Sequence, residues 1–205
     1  EEVGIDFECS HLTSNEMITI CLHLFYKLHI IECLKCDERL LVKWLGTMAA
    51  KTEESGLFMM MTDSLHFVYF ILKESGWIHM FSNIELCAIG IASFLCHCTP
   101  QMHPNFDYEK VISEAVTKDT HQRSLTKVVT CLILLADDSL NVIEKTDRNM
   151  LLEIIKCMME QMPKTLFSSL LPFHVIVNKK KLDLNSMFHK LALKRFLLDL
   201  AQNSL

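Results

Sequence analysis

Apolar residues recur at three- and four-residue steps through most of this chain, the spacing of one face of an α-helix. Thr13 stands three residues before Glu16, the reciprocal pattern of a capping box, and opens a helix expected to run to about Lys35. Asp37 is placed to cap a second helix over about 38–53 that buries Leu40, Leu41, Trp44, Leu45 and Met48. The polar stretch Thr52–Gly56 breaks it, and a third helix is expected from about Thr62 to Ser75, with Gly76 where a left-handed C-terminal cap needs glycine. Ser82 and Glu85 repeat the capping-box spacing and open a fourth helix to about Cys98, in which Ala88, Gly90, Ala92 and Ser93 are small enough for a neighbouring helix to come close. A short helix over 104–118 and a longer one over 121–137 follow. Asp147 starts a helix with the stripe Leu151, Ile154, Ile155, Met158 and Met162, with Glu153, Lys156 and Glu160 on the opposite side. After Pro163 the pattern gives a short helix near 164–171, an extended stretch at 173–177, a loop at Lys179–Lys181 and a last helix from Ser186 to about Gln202. Residues 1–12 read as a flexible lead-in.

Composition narrows the class. The chain has 205 residues, half of them hydrophobic, with only five Gly and four Pro; sandwiches, barrels and nucleotide-binding α/β folds use more turn residues than that. The expectation is one all-α domain over 1–205, read as a piece of a longer protein because the first residue is Glu1. The longest apolar run, Leu86–Cys96, falls short of the ~20 residues that cross a bilayer and reads as a buried helix. Nine cysteines, an odd number placed mostly inside apolar helical stretches, point to a reducing compartment, cytoplasm or nucleus. Residues 1–162 carry the acidic excess and 163–205 are net basic, with −5 overall. That split argues against a general nucleic-acid binder and leaves room for an acidic partner at the C-terminal end.

The strings SGWIHMF (75–81), NIELCAIGIASFLCHC (83–98) and RSLTKVVTCLILLADDS (123–139) resemble an armadillo or HEAT-type helical repeat over about residues 63–138. The resemblance implies an irregular armadillo/HEAT-like stack, an α-α superhelix of about nine helices, whose concave face binds a peptide or another protein.

Chemistry is sparse in the sequence. Cys33 and Cys36 have the spacing of a zinc half-site, with Cys96, Cys98 or His103 as a second half. Cys96 and Cys98, two apart, diverge on a helix, so no zinc is expected and Cys33 and Cys36 read as small residues closing a helix end. His97 lies between two cysteines but neighbours on a helix point apart; the other histidines are scattered, and Asp137-Asp138 ends a helix as a solvated pair. There is no Gly-rich phosphate loop and no nucleophile elbow.

The sequence reading is therefore a non-catalytic protein–protein interaction module, a scaffold or adaptor without cofactor. Its expected contacts are the continuous apolar run Leu57, Phe58, Met59, Met60 and Met61, and a basic patch of Lys179, Lys180, Lys181, Lys190, Lys194 and Arg195. The alternative is a helical domain of nuclear-receptor type with a lipophilic ligand in an internal cavity.

Overall fold

A computed structural model of the chain describes residues 9–98, 130–136, 140–160 and 187–203. Among these residues all regular structure is helical. The helices are α1 (Ser14–Lys27), α2 (Ile30–Leu34), α3 (Glu38–Lys51), α4 (Leu57–Glu74), α5 (Asn83–Phe94), α6 (Arg148–Glu160) and α7 (Met187–Asn203). Single 3-10 turns occur at Cys9–His11, Trp77–His79 and Leu95–His97, and 130–135 is helical. The all-α class is thus established. The elements expected at 104–118, 164–171, 173–177 and Lys179–Lys181 lie outside the described residues, as does much of the segment 63–138 that resembles a repeat.

α5 is the helix around which the others are arranged. Every residue from Leu86 to Phe94 is buried, so beyond its exposed first turn this helix has no solvent face, the condition of a helix inside a core. It packs against α2, α4, α6 and α7, while α1 packs on α3 and α4. Its last residue, Phe94, meets the rings of Phe25 from α1 (5.3 Å between centroids), Trp44 from α3 (5.9 Å) and Phe58 from α4 (6.1 Å). The Phe25 and Phe58 contacts are edge-to-face, at 85° and 89°, which sets positive ring edges against negative ring faces. Trp44 also donates its indole N–H to the Leu134 carbonyl at 2.7 Å, which ties α3 to the stretch at 130–135.

The local stop and start signals act as the sequence suggests. Both capping boxes form, at Thr13/Glu16 and Ser82/Glu85; Asp37 accepts from the Arg39 amide; Gly76 adopts φ +71°. Four expectations are corrected. The helix expected from Thr13 to Lys35 is broken at His29, whose φ of 57° is left-handed. That conformation costs roughly 1–2 kcal/mol outside glycine, and it sets Leu28 and Ile30, both fully buried, against α5. The helix expected at Thr62 begins at Leu57, because Phe58, Met61 and Leu65 already form a buried stripe at helical spacing. The lead-in is packed from Cys9 onward, with the Cys9 amide donating to Asp63 at 3.2 Å. On α6 the buried stripe is Met150, Ile154, Cys157 and Met158, rotated so that Glu153 faces a neighbouring helix.

That neighbour is α7. Lys194 is almost completely buried, and its Nζ lies 2.6 Å from Glu153 Oε1 and 3.1 Å from Glu85 Oε1. One ammonium thereby joins α7 to α5 and α6. Glu85 divides its carboxylate: Oε2 accepts from the Ser82 amide and hydroxyl, while Oε1 takes Lys194. Burial alone would raise its pKa; the Ser82 hydrogen bonds and the Lys194 ammonium outweigh burial and hold it down at about 2. The same opposition applies to Lys194, where burial works against the charge but Glu153 and Glu85 raise its pKa above the ordinary lysine value. No helix among the described residues is long and apolar enough to cross a membrane.

Two outcomes follow from this packing. A Cβ at Gly90 would lie 2.9 Å from Cδ1 of both Ile30 and Leu28, so Gly90→Val overfills the α2–α5 contact and lowers stability by about 1–3 kcal/mol in urea titration. Glu85, with its depressed pKa, contributes stability that is complete above its ordinary value of 4.5 and disappears as pH falls towards 2. Thermal unfolding midpoints should therefore drop over that interval. Lys194→Met, which leaves two carboxylates facing each other, should cost about 3 kcal/mol at pH 7 and flatten the acid-side drop.

Candidate functional site

The two ends of α5 are where reactive side chains come together. The capping box fixes its first turn and Gly90 brings α2 close to it, so the N-terminal end collects Cys33 and Cys36 from the α2 side, Cys87 from α5 itself and Cys157 from α6. These four thiols interact electrostatically. At the other end the chain tightens into the Leu95–His97 turn, which places His97 beside α4 and α7.

At that C-terminal end His97 Nε2 lies 2.9 Å from Ser64 Oγ, and Ser64 Oγ donates to the Ala201 carbonyl at 2.9 Å. A hydroxyl has one proton to give. With that proton on Ala201, the imidazole must donate to Ser64, which places hydrogen on Nε2. A serine nucleophile needs the opposite arrangement, with its proton passing to the histidine. The fully buried Ser64 is therefore a structural link between α4, α7 and the end of α5. Sequence reasoning missed this contact because Ser64 and His97 lie on different helices and no local motif joins them.

Two buried thiols, Cys9 and Cys21, are inert. Burial pushes Cys21 up to about 12, and burial together with Asp63 pushes Cys9 higher still, so neither supplies thiolate at neutral pH. Cys33 differs. It is half-buried, and a hydrogen bond from the Cys87 thiol, assisted by His29 and opposed by burial and Glu32, brings it down to about 7. Cys87 is pushed far up by the same hydrogen bond and by its own burial.

The zinc reading meets a simple geometric obstacle. Cys33 and Cys36 lie at the start of α5, while Cys96 and Cys98 lie at its far end. Seven residues of α5 separate Cys87 from Phe94, roughly 10 Å at 1.5 Å per residue, and Cys96 and Cys98 lie beyond that end. His103 is outside the described residues. Among the described residues no group of three or more His, Cys, Asp or Glu side chains is placed to hold a metal ion.

The expected contact residues scatter. Leu57–Met61 forms the first turn of α4, with Phe58 and Met61 in the core, Leu57 and Met59 half-buried against it and Met60 half-buried. Lys194 is clamped between two carboxylates rather than presented to solvent, and Arg195 beside it is half-buried. Lys179, Lys180 and Lys181 and the side chain of Lys190 lie outside the described residues. An open groove of about 610 Å³ runs beside α3, lined by Lys43, Gly46, Thr47, Ala50, Lys51 and Leu140. Its cationic edge and its openness do not suit the lipophilic ligand of the alternative reading.

No family model matches the chain, and no curated protein matches it. Among solved structures, the phosphodiesterase domain of the RhoPDE fusion protein from the choanoflagellate Salpingoeca rosetta is similar to it, with a TM-score of 0.67 and 19% identity. The match covers 96% of this chain and 66% of that one, so this chain spans just under two thirds of the domain it resembles. At that identity the likeness establishes the fold. It overturns the reading of a non-catalytic scaffold or adaptor, and the lipophilic-ligand alternative with it. That reading took an all-helical stack without a recognisable motif to be a docking module with no enzyme activity. The same helical architecture is that of a phosphodiesterase domain, so helicity does not separate the two classes.

Proposed function

We propose that the chain is a hydrolytic domain of phosphodiesterase type, acting on a phosphodiester. The reading rests on the superposition of nearly the whole chain, 96% of it, on a phosphodiesterase domain. The reaction is attack of water on phosphorus: a P–O bond to the incoming oxygen forms, the P–O bond to one ester oxygen breaks, and the departing alcohol leaves with a proton. Such a reaction depends on positioning and on neutralising charge that spreads over the phosphoryl oxygens. None of the described side chains is assigned a part in that step.

The test is turnover of three phosphodiesters by the purified chain: bis(4-nitrophenyl) phosphate, a dinucleotide and a cyclic nucleotide, each with Mg²⁺, Mn²⁺ or Zn²⁺ or with chelator. The expected result is release of alcohol product from at least one of them at more than ten times the rate of a heat-inactivated sample. Rates equal to that control for all three, with folded protein verified by circular dichroism, reject the proposal.

A further inference from the structure

α2 and α5 pass each other in opposed register at close range. Ile30 rests on Gly90, where a Cβ would come within 2.9 Å of its Cδ1. Three residues along each helix, the same register brings Cys33 to Cys87, close enough for the two thiols to act on one another's ionisation. The Cys33 sulfur also reaches the Asn83 carbonyl at 3.6 Å, one turn earlier on α5. Two observations thus give the same register: a glycine that lets the backbones approach, and a thiol pair next to it. Close approach of backbones is what a disulfide requires, with Cα atoms usually about 4.4–6.8 Å apart.

We propose that Cys33 and Cys87 form an oxidation site, at which a peroxide oxidises Cys33 and Cys87 resolves the product as a disulfide bridging α2 to α5. The Cys33 thiolate attacks one oxygen of hydrogen peroxide. An S–O bond forms, the O–O bond breaks, and the released hydroxide takes a proton and leaves as water. Sulfur loses two electrons to the peroxide and becomes a sulfenic acid. The Cys87 sulfur then attacks Cys33: the S–S bond forms, the S–O bond breaks, and the departing hydroxide carries off the Cys87 proton as a second water. Two thiols and one peroxide give one disulfide and two waters.

The division of labour follows from the surroundings. Cys33 is the reachable partner, half-buried, whereas Cys87 is completely buried. His29 favours the Cys33 thiolate and Glu32 opposes it. The hydrogen bond that Cys87 donates to Cys33 is the largest cause holding Cys87 protonated, and it ends when Cys33 becomes a neutral sulfenic acid. Cys36, also half-buried, is kept protonated chiefly by burial, and Cys157 approaches Cys87 from the buried face of α6.

The experiment exposes the folded chain to a small excess of hydrogen peroxide at pH 7, blocks the remaining thiols and maps cross-linked peptides without reduction. The expected product is the Cys33–Cys87 cross-link. Before oxidation, iodoacetamide should modify Cys33 on the order of tenfold faster than any other cysteine. Cys33→Ser, at a half-exposed position, should abolish the cross-link while leaving the circular dichroism spectrum unchanged. Dimedone should label Cys33 in a Cys87→Ala variant; should that variant fail to fold, the map of the unsubstituted chain decides. A Cys33–Cys36 cross-link, a persistent sulfenic acid at Cys33, or oxidation spread evenly over the nine thiols each overturns the proposal.

Discussion

Burying one helix on all sides is the constraint from which the remaining structure follows. From Leu86 onward α5 has no face to leave in water, so its neighbours must close over it from several directions. They can do so only where its surface is narrow. Ala88, Gly90, Ala92 and Ser93 provide that narrowness, and Ser93 hides its hydroxyl by donating to the Ile89 carbonyl at 2.7 Å. Where α5 is wide, at Phe94, three aromatic rings from three helices are shaped around it. The left-handed turn at His29 belongs to the same demand: a straight continuation of α1 would not place Leu28 and Ile30 together on Gly90.

Crowding around α5 also decides where polar chemistry can exist. Side chains with charge or a reactive proton gather at the two ends of the helix, where partners offset the cost of burial. At one end Lys194 is surrounded by Glu85 and Glu153, and four thiols collect beside it. At the other end Ser64 and His97 satisfy one another and the Ala201 carbonyl. Cys87, close to the first cluster, is two residues from Glu85, so a covalent tie there would act on the same turn of helix that holds the ammonium.

What could be read from the sequence was local. Thr13 with Glu16, Ser82 with Glu85, Asp37 and Gly76 each act within one turn, so their spacing alone reveals them. The all-helical class followed from period and from scarce Gly and Pro. The misplaced features are those in which distant residues decide. Nothing near His29 stops a helix; the surface of α5 does, sixty residues later. Leu57–Met61 read as an exposed contact because the core that covers Phe58 and Met61 comes from elsewhere in the chain. Lys194 counted as part of a basic patch until its two carboxylates, on two other helices, were brought to it. Function was least legible. Periodicity reports burial, and burial is the same whether a helical stack docks a peptide or turns over a phosphodiester.

Glu85 spends its two oxygens on unrelated obligations, one to its own helix and one to a lysine 109 positions further along the chain. Few other side chains can replace it in both. Aspartate reaches back to Ser82 but is one methylene short of α7; glutamine keeps the length but turns either an amide or its lone oxygen towards the lysine. The beginning of one segment and the closure of the assembly are thus tied to a single side chain, and a change at this carboxylate sacrifices at least one of them.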